Sequence, residues 1–238
     1  MKRTSYGCIC LDLIQNKTLL IQRTHSPEFL HFIRGMFTHK DIECILLGCT
    51  KDEHDFIANL IDMDDSLVKM NLSRIMEPLY TFNCQKYADL GTDSIRSHKN
   101  QIRELLNQIA PRSDYEWSWP KGGTIFNENT VDTAIRETLE ETGYSIDRLN
   151  ITDIPVQHIK ITTYFGMTCE INYYVALVDI ATLGEQGGFD FKEVRDAKWV
   201  SFDQAKKLLP NNYIEILNNV LTHVSKHVNR YVNGREEP

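Results

Sequence analysis

The chain has 238 residues, enough for one large domain or for a medium domain carrying a sizeable insertion. Its composition, 42% hydrophobic and 25% charged, is that of a globular protein with a packed core. The formal net charge of -7 excludes a protein that coats nucleic acid by bulk attraction, so any RNA contact has to be local.

No apolar run reaches the length a membrane span needs. The opening residues Met1, Lys2, Arg3, Thr4 and Ser5 lead into a strand-like stretch and not a signal peptide, so a cytoplasmic protein with no membrane partner is expected. The six cysteines form no CxxC pair and lack a histidine at zinc spacing, which reads as free, buried thiols.

In chain order, residues 4–23 predict a hairpin. Tyr6, Cys8, Cys10 and Leu13 fall in one apolar run, Leu19, Leu20 and Ile21 in the next, and Gln15, Asn16 and Lys17 supply the turn. From Ser26 to Arg112 the period becomes helical, with start signals at Ser26 before Pro27, at Thr50 and at Thr92. Strand chemistry returns at Trp117 and Trp119, and a helix is predicted over 129–142, closed by Gly143. Residues 157–165 and 170–178 predict a second hairpin turning at Gly166. A last strand over 196–202 precedes a helix over 203–230, interrupted near Pro210. The domain reading is therefore 1–25 and 113–238 as one unit, interrupted by a helical insertion over 26–112.

The chemistry is concentrated in residues 122–144. Gly122, Glu128, Arg136, Glu137, Glu140, Glu141 and Gly143 stand at fixed intervals there. On a helix, Glu137, Glu140 and Glu141 are three and four residues apart, so all three carboxylates share one face within reach of a common point. Such crowding of negative charge calls for a hard, oxygen-seeking cation, Mg²⁺ or Mn²⁺. Arg136 can reach back to Glu128 and brace the loop. Most glutamate-rich helical segments are only solvated surface. Seven fixed identities at background usage, however, coincide by chance about once in a million sequences of this length.

This spacing resembles the Nudix box, and only Thr138 departs from it, standing where an aliphatic residue is usual. The resemblance implies an α/β Nudix fold, a mixed sheet in an α/β/α sandwich, here with a helical insertion after the first hairpin. It also implies hydrolysis of a pyrophosphate bond with Mg²⁺ or Mn²⁺. In that family pattern Gly122, Glu128, Arg136 and Gly143 are structural, while Glu137, Glu140 and Glu141 are metal ligands.

The run Trp119, Pro120, Lys121, Gly122 looks like the entry to the box in Nudix mRNA-decapping enzymes. The helical block after a strand ending in Arg23 resembles the decapping proteins of large cytoplasmic DNA viruses of the asfarvirus and poxvirus kinds. This implies capped RNA as partner, with 7-methyl-GDP and 5′-monophosphate RNA as products; no DNA partner is expected, and no residue signals an oligomeric state. Decapping relatives carry a Glu six residues before a Trp, which here is Glu193 before Trp199, implied as a further metal ligand. Glu137 or Glu193 is then the base, with Glu185 and Asp190 as competitors for the role of Glu193.

Lys121 and Arg23 are candidates for binding phosphate. A methylated guanine is cationic and stacks on aromatic faces, for which Tyr164, Phe165, Phe32 and Phe37 are the candidates. Contacts to the RNA body are assigned to Arg96, His98, Lys99 and Arg103 or to Lys206, Lys207, Lys226 and Arg230. The insertion as a whole offers no basic surface: its ten Lys and Arg face thirteen Asp and Glu. The same metal site would also serve a diphosphoinositol polyphosphate or dinucleoside polyphosphate phosphohydrolase. A non-catalytic RNA-binding scaffold is a third reading, against which the intact glutamate set weighs.

Overall fold

The computed structural model describes residues 2–77, 83–147, 150–162, 168–189 and 191–226. By its internal contacts the chain divides into two compact units, one comprising Met1–Gln22 with Glu116–Pro238, the other Arg23–Tyr115. None of the described helices is long and apolar enough to cross a membrane.

In the first unit, strand β1 (Lys2–Asp12) carries Cys8, Ile9, Cys10 and Leu11, all fully buried, so both its faces are covered. A run apolar on both faces belongs in the middle of a sheet. The chain turns at Asn16, whose φ of 55° is a left-handed value that asparagine tolerates, and returns antiparallel as β2 (Lys17–Arg23). Two short strands follow the second unit: β3 (Trp117–Ser118), paired with β2, and β4 (Lys121–Gly122), paired with β1.

The second hairpin is β5 (Gln157–Thr162) and β6 (Thr168–Leu177), antiparallel to each other, with β6 parallel to β1 from Lys2↔Thr168 to Leu11↔Leu177. Its expected turn, Gly166, lies outside the described residues. Strand β7 (Val194–Ser201) pairs with β2, so the mixed sheet runs β3-β2-β1-β6-β5 with β4 and β7 attached at β1 and β2.

Helices cover both faces of this sheet. On one face a helix of the first unit (Thr130–Thr142) packs Ala134 with Cys8, Cys10, Leu19 and Ala176. On the other face Ile9, Leu11, Leu20, Trp119, Tyr173 and Val175 pack against Leu217, Val220 and Val224 of the C-terminal helix (Asn211–Lys226). The alternation of Cys8 and Cys10 with Ile9 and Leu11 is the two-residue strand period expressed as two cores. The expected interruption at Pro210 separates this last helix from a preceding one (Phe202–Leu208), capped by Ser201 and Gln204. The architecture is mixed α/β, in three layers.

The second unit is helical: α1 (Pro27–Ile33), α2 (Ile42–Gly48), α3 (Lys51–Asp62), α4 (Asp65–Met76), α5 (Cys84–Ser97) and α6 (Lys99–Gln108). In chain order the three helices of the first unit follow as α7 (Thr130–Thr142), α8 (Phe202–Leu208) and α9 (Asn211–Lys226). Ser26 caps α1, and buried Glu53 accepts from Ser26 N at 2.7 Å, Ser26 Oγ at 2.8 Å and Thr50 N at 2.8 Å, tying together the starts of α1 and α3.

Thr92 starts no helix. It lies buried within α5 and its hydroxyl donates back to Ala88 O at 2.8 Å, the use a mid-helix threonine makes of an oxygen it cannot spend on a cap.

Candidate active site

Helix α7 is built to hold its residues in place. Asn129 caps it by accepting from Val131 N and Asp132 N at 3.1 and 2.9 Å, and Gly143 ends it in the left-handed conformation at φ 71°. A side chain at Gly143 would meet Gly187 O at 2.2 Å, and Gly187 N donates to Gly143 O at 2.9 Å. Gln186 adds a bond from Nε2 to Thr142 O at 2.9 Å, so the 184–188 loop is docked on the end of the helix. The unusual Thr138 is fully buried with its hydroxyl bonded to Ala134 O at 2.8 Å, which lets it sit in an apolar layer with no unmet polar group.

The loop before α7 is clamped by Arg136. Its Nε donates to Glu128 Oε1 at 2.8 Å, one terminal nitrogen to Glu128 Oε2 at 3.0 Å and Gly123 O at 2.8 Å, and the other to Glu140 Oε2 at 2.7 Å while pairing with Glu137 Oε1 at 2.8 Å. Glu128 also accepts from Thr133 Oγ1 at 2.8 Å. This guanidinium holds the Glu128 carboxyl down to about 2, and the carboxylates in turn hold the Arg136 proton more firmly than usual. The bracing of Glu128 by Arg136 is as the sequence implies; the share of Thr133 and of the Gly123 carbonyl is not visible in a spacing pattern.

Glu137 and Glu141 are buried and Glu140 is half out in solvent, its side chain 54% exposed. Glu137 lies directly under Gly122: a Cβ there would sit 2.1 Å from its carboxyl carbon. Glu141 accepts from Lys121 N at 2.7 Å. Burial raises the Glu137 carboxyl above its ordinary range, partly offset by Arg136 and reinforced by the negative charges of Glu140 and Glu193. Glu193, exposed at the entry to β7, is therefore within electrostatic reach of Glu137, and Glu185 stands exposed in the docked 184–188 loop. Asp190 lies outside the described residues.

Among the described residues no three His, Cys, Asp or Glu groups converge as a metal site would need. One nitrogen of Arg136 lies between Glu137 and Glu140, so the positive charge these two groups require is supplied by the protein itself. The residues nevertheless suit a divalent cation. Two buried carboxylates and two more charges nearby make an all-oxygen donor set, and the absent side chain at Gly122 leaves the room that Glu137 occupies. A cation held by Glu137 and Glu141, with Glu140 and Glu193 alongside, would polarise a phosphoryl oxygen and neutralise a diphosphate.

Other expected site residues are placed differently. The Lys121 side chain is buried and its Nζ donates to Ser118 Oγ at 3.0 Å, while its backbone N is bonded to Glu141. Arg23 is half-buried at the end of β2.

Phe32 is fully buried and Phe37 nearly so, their rings stacked at 5.1 Å in the core of the helical unit, which leaves neither ring a face for a base. Tyr164 and Phe165 lie outside the described residues, as does Arg230. Arg96 pairs with Asp65 and donates to the carbonyls of Ile61 and Met63, while Lys99 and Arg103 pair with Asp62 at 3.5 and 2.5 Å. These cations close the end of α3, where unpaired carbonyls attract positive charge. Lys206, Lys207 and Lys226 are exposed. The aromatic that sequence reasoning misses is Phe126, 92% exposed in the loop that Arg136 clamps.

The chain is similar to several known proteins. The chain is 24% identical over 243 aligned residues to an Acanthamoeba polyphaga mimivirus protein provisionally named as an mRNA-decapping protein, a match spanning 87% of this chain and 67% of the relative. Among solved structures it is similar to an Ap4A hydrolase of C. elegans, with 13% identity and a TM-score of 0.49 over 94% of this chain and 98% of that one. It is also similar to a MutT Nudix hydrolase of Burkholderia pseudomallei, with 14% identity and a TM-score of 0.43 over 91% and 95% of the two chains. The model of the NUDIX domain matches residues 101–220, from α6 through the clamped loop and α7 into α9. That match takes in half of the chain and every glutamate of the candidate site, and so the protein belongs to the Nudix hydrolase family.

Proposed function

We propose that this Nudix hydrolase cleaves the pyrophosphate bridge of 7-methylguanosine-capped RNA, releasing 7-methyl-GDP and 5′-monophosphate RNA. The observation that carries the reading is the mimivirus relative, whose name is that of an mRNA-decapping protein and whose match covers too much of the chain to leave out the helical unit. The entry Trp119-Pro120-Lys121-Gly122 and the position of Glu193 six residues before Trp199 support it.

Nudix enzymes generally act with divalent metal ions. Glu137, Glu140, Glu141 and Glu193 are the residues proposed to hold Mg²⁺ or Mn²⁺. A bound divalent ion would supply positive charge beside Glu137 and Glu140, and Arg136, through its bonds to Glu128 and Gly123 O, would keep the loop in place. The buried Glu137, whose proton affinity is already raised, or the exposed Glu193 then takes the proton from the attacking water.

The test is incubation with cap-labelled RNA and Mn²⁺, with unmethylated cap, a diphosphoinositol polyphosphate and a dinucleoside polyphosphate as competitors. Labelled 7-methyl-GDP is the expected product. Efficient turnover of the inositide or the dinucleotide with no release of label would overturn decapping and leave the hydrolase reading standing.

A further inference from the structure

Phe126 is an exception to how this protein treats its aromatic rings. It is 92% exposed and makes no ring contact or hydrogen bond among the described residues, whereas Phe191, the other strongly exposed phenylalanine among them, packs tilted against Phe189 with ring centroids 4.5 Å apart. An exposed ring on a floppy loop would need no explanation, since single exposed apolar side chains are common. The loop that carries Phe126 is held at both ends.

Residues 125–128 form a turn in which Glu128 N donates to Ile125 O at 3.2 Å and Asn127 takes the left-handed third position at φ 64°. Glu128 is fixed by two nitrogens of Arg136 and by Thr133, and the other end of the loop is fixed where Arg136 donates to Gly123 O. The same guanidinium pairs with Glu137 and Glu140. One side chain therefore fixes both the acidic cluster and the arch with Phe126 at its crest.

From Gly123 the chain can carry the Phe126 Cα no more than about 10 Å, so the ring stays in the neighbourhood of Glu137 and Glu140, which pair with the same guanidinium. A ring with a free face on a braced loop forgoes the stabilisation of burial and spares part of the ordering cost of binding a flat partner.

We propose that Phe126 is a stacking platform for a nucleobase of the substrate, which makes it a specificity-determining residue. The inference rests on the nucleotide-pyrophosphatase reading and deepens it by naming the recognised group: a base, and not an inositol ring or a bare phosphate chain. Base-on-aromatic stacking accepts any base, because each has a π-face. The platform therefore serves a capped RNA or a dinucleoside polyphosphate alike.

Two measurements test it on the full chain. In steady-state kinetics with capped RNA and with a dinucleoside tetraphosphate, Phe126→Ala raises KM about tenfold with kcat within twofold. Phe126→Trp restores KM, and Phe126→Leu, apolar but without a π-face, behaves as Phe126→Ala. In equilibrium titration, the fluorescence of Phe126→Trp, measured against that of the unaltered protein, is quenched by 7-methyl-GDP and by GDP, and is unmoved by inorganic pyrophosphate.

An unchanged KM in Phe126→Ala, rescue by leucine as good as by tryptophan, or equal quenching by pyrophosphate would each overturn the platform. If capped RNA is not cleaved and the dinucleotide is, decapping fails and Phe126 is judged on the dinucleotide. If neither is cleaved, the titration alone decides.

Discussion

Replacing Gly122 by alanine should separate stability from activity in a way the geometry specifies. The added Cβ would lie 2.1 Å from Glu137 Cδ and 2.2 Å from each carboxylate oxygen, against an ordinary carbon contact of about 3.5–4.0 Å. Something must yield by about 1.5 Å. The backbone has little room, because β4 is registered on β1 through Tyr6↔Gly122 and Lys121 N is bonded to Glu141. The end of the Glu137 side chain yields instead and swings off Arg136.

Because what yields is the far end of a side chain and not backbone, the overpacking falls at the low end of about 1–3 kcal/mol. A reacting group displaced by about 1 Å loses about a hundredfold in rate. Gly122→Ala should therefore lower the melting temperature by a few degrees and kcat by two orders of magnitude, read by thermal denaturation and by turnover of a pyrophosphate substrate with saturating Mn²⁺. Gly123→Ala, where an added Cβ meets nothing within 4 Å, should leave both close to their starting values. Full turnover in Gly122→Ala would refute the placement of Glu137 as a working carboxylate.

Glu137→Gln should abolish turnover by at least a hundredfold and raise the melting temperature of the metal-free protein at neutral pH. Its folded-state pKa lies above the unfolded value, so folding favours the protonated form and ionisation at higher pH weakens the fold, a penalty the amide removes; a lower melting temperature would contradict this. Glu128 has the opposite sign: held at about 2 against an ordinary 4.5, it contributes stability fully present above pH 4.5 and lost as pH falls toward 2. After allowance for solvent near a surface loop that contribution is about 1–2 kcal/mol, and Glu128→Gln should remove it, flattening acid denaturation in that window. Phe32→Ala, emptying a fully buried site, should destabilise the helical unit by about 3–5 kcal/mol, measurable by denaturant unfolding. A loss of cap affinity with unchanged stability would instead make Phe32 a binding residue.

How far the sequence could be read depended on the range over which each signal acts. The hairpins, α7 and its caps at Asn129 and Gly143 are governed by neighbours within a few positions, and their composition shows it. The link between Arg136 and Glu128 is fixed by helix geometry and was legible for the same reason. What spacing alone does not carry is tertiary. Helical spacing places Glu137, Glu140 and Glu141 on one face, yet their separation depends on Arg136 coming between two of them and Lys121 N holding the third.

Phe32 and Phe126 are the same residue type with opposite burial, and only the fold tells them apart. Thr92 has the composition of a helix start, but Ala88 one turn earlier supplies the acceptor that keeps it inside a longer helix. The Gly187 contact with Gly143 joins segments distant in sequence, with the Gly187-Gly188 pair its only local trace.

The helical unit leaves the sheet at the end of β2 and the chain re-enters at β3, two strands already paired at Ile21↔Ser118 and Gln22↔Trp117. Its two junctions are thus side by side, in the position a tight turn would fill. Bridging neighbouring strands with a long segment costs only a slowly growing closure entropy. The arrangement is modular: evolution could graft or excise this cassette at one point of the scaffold without unpicking a ladder elsewhere, and the hydrolytic half could keep its catalytic frame while its accessory half diverged at its own pace.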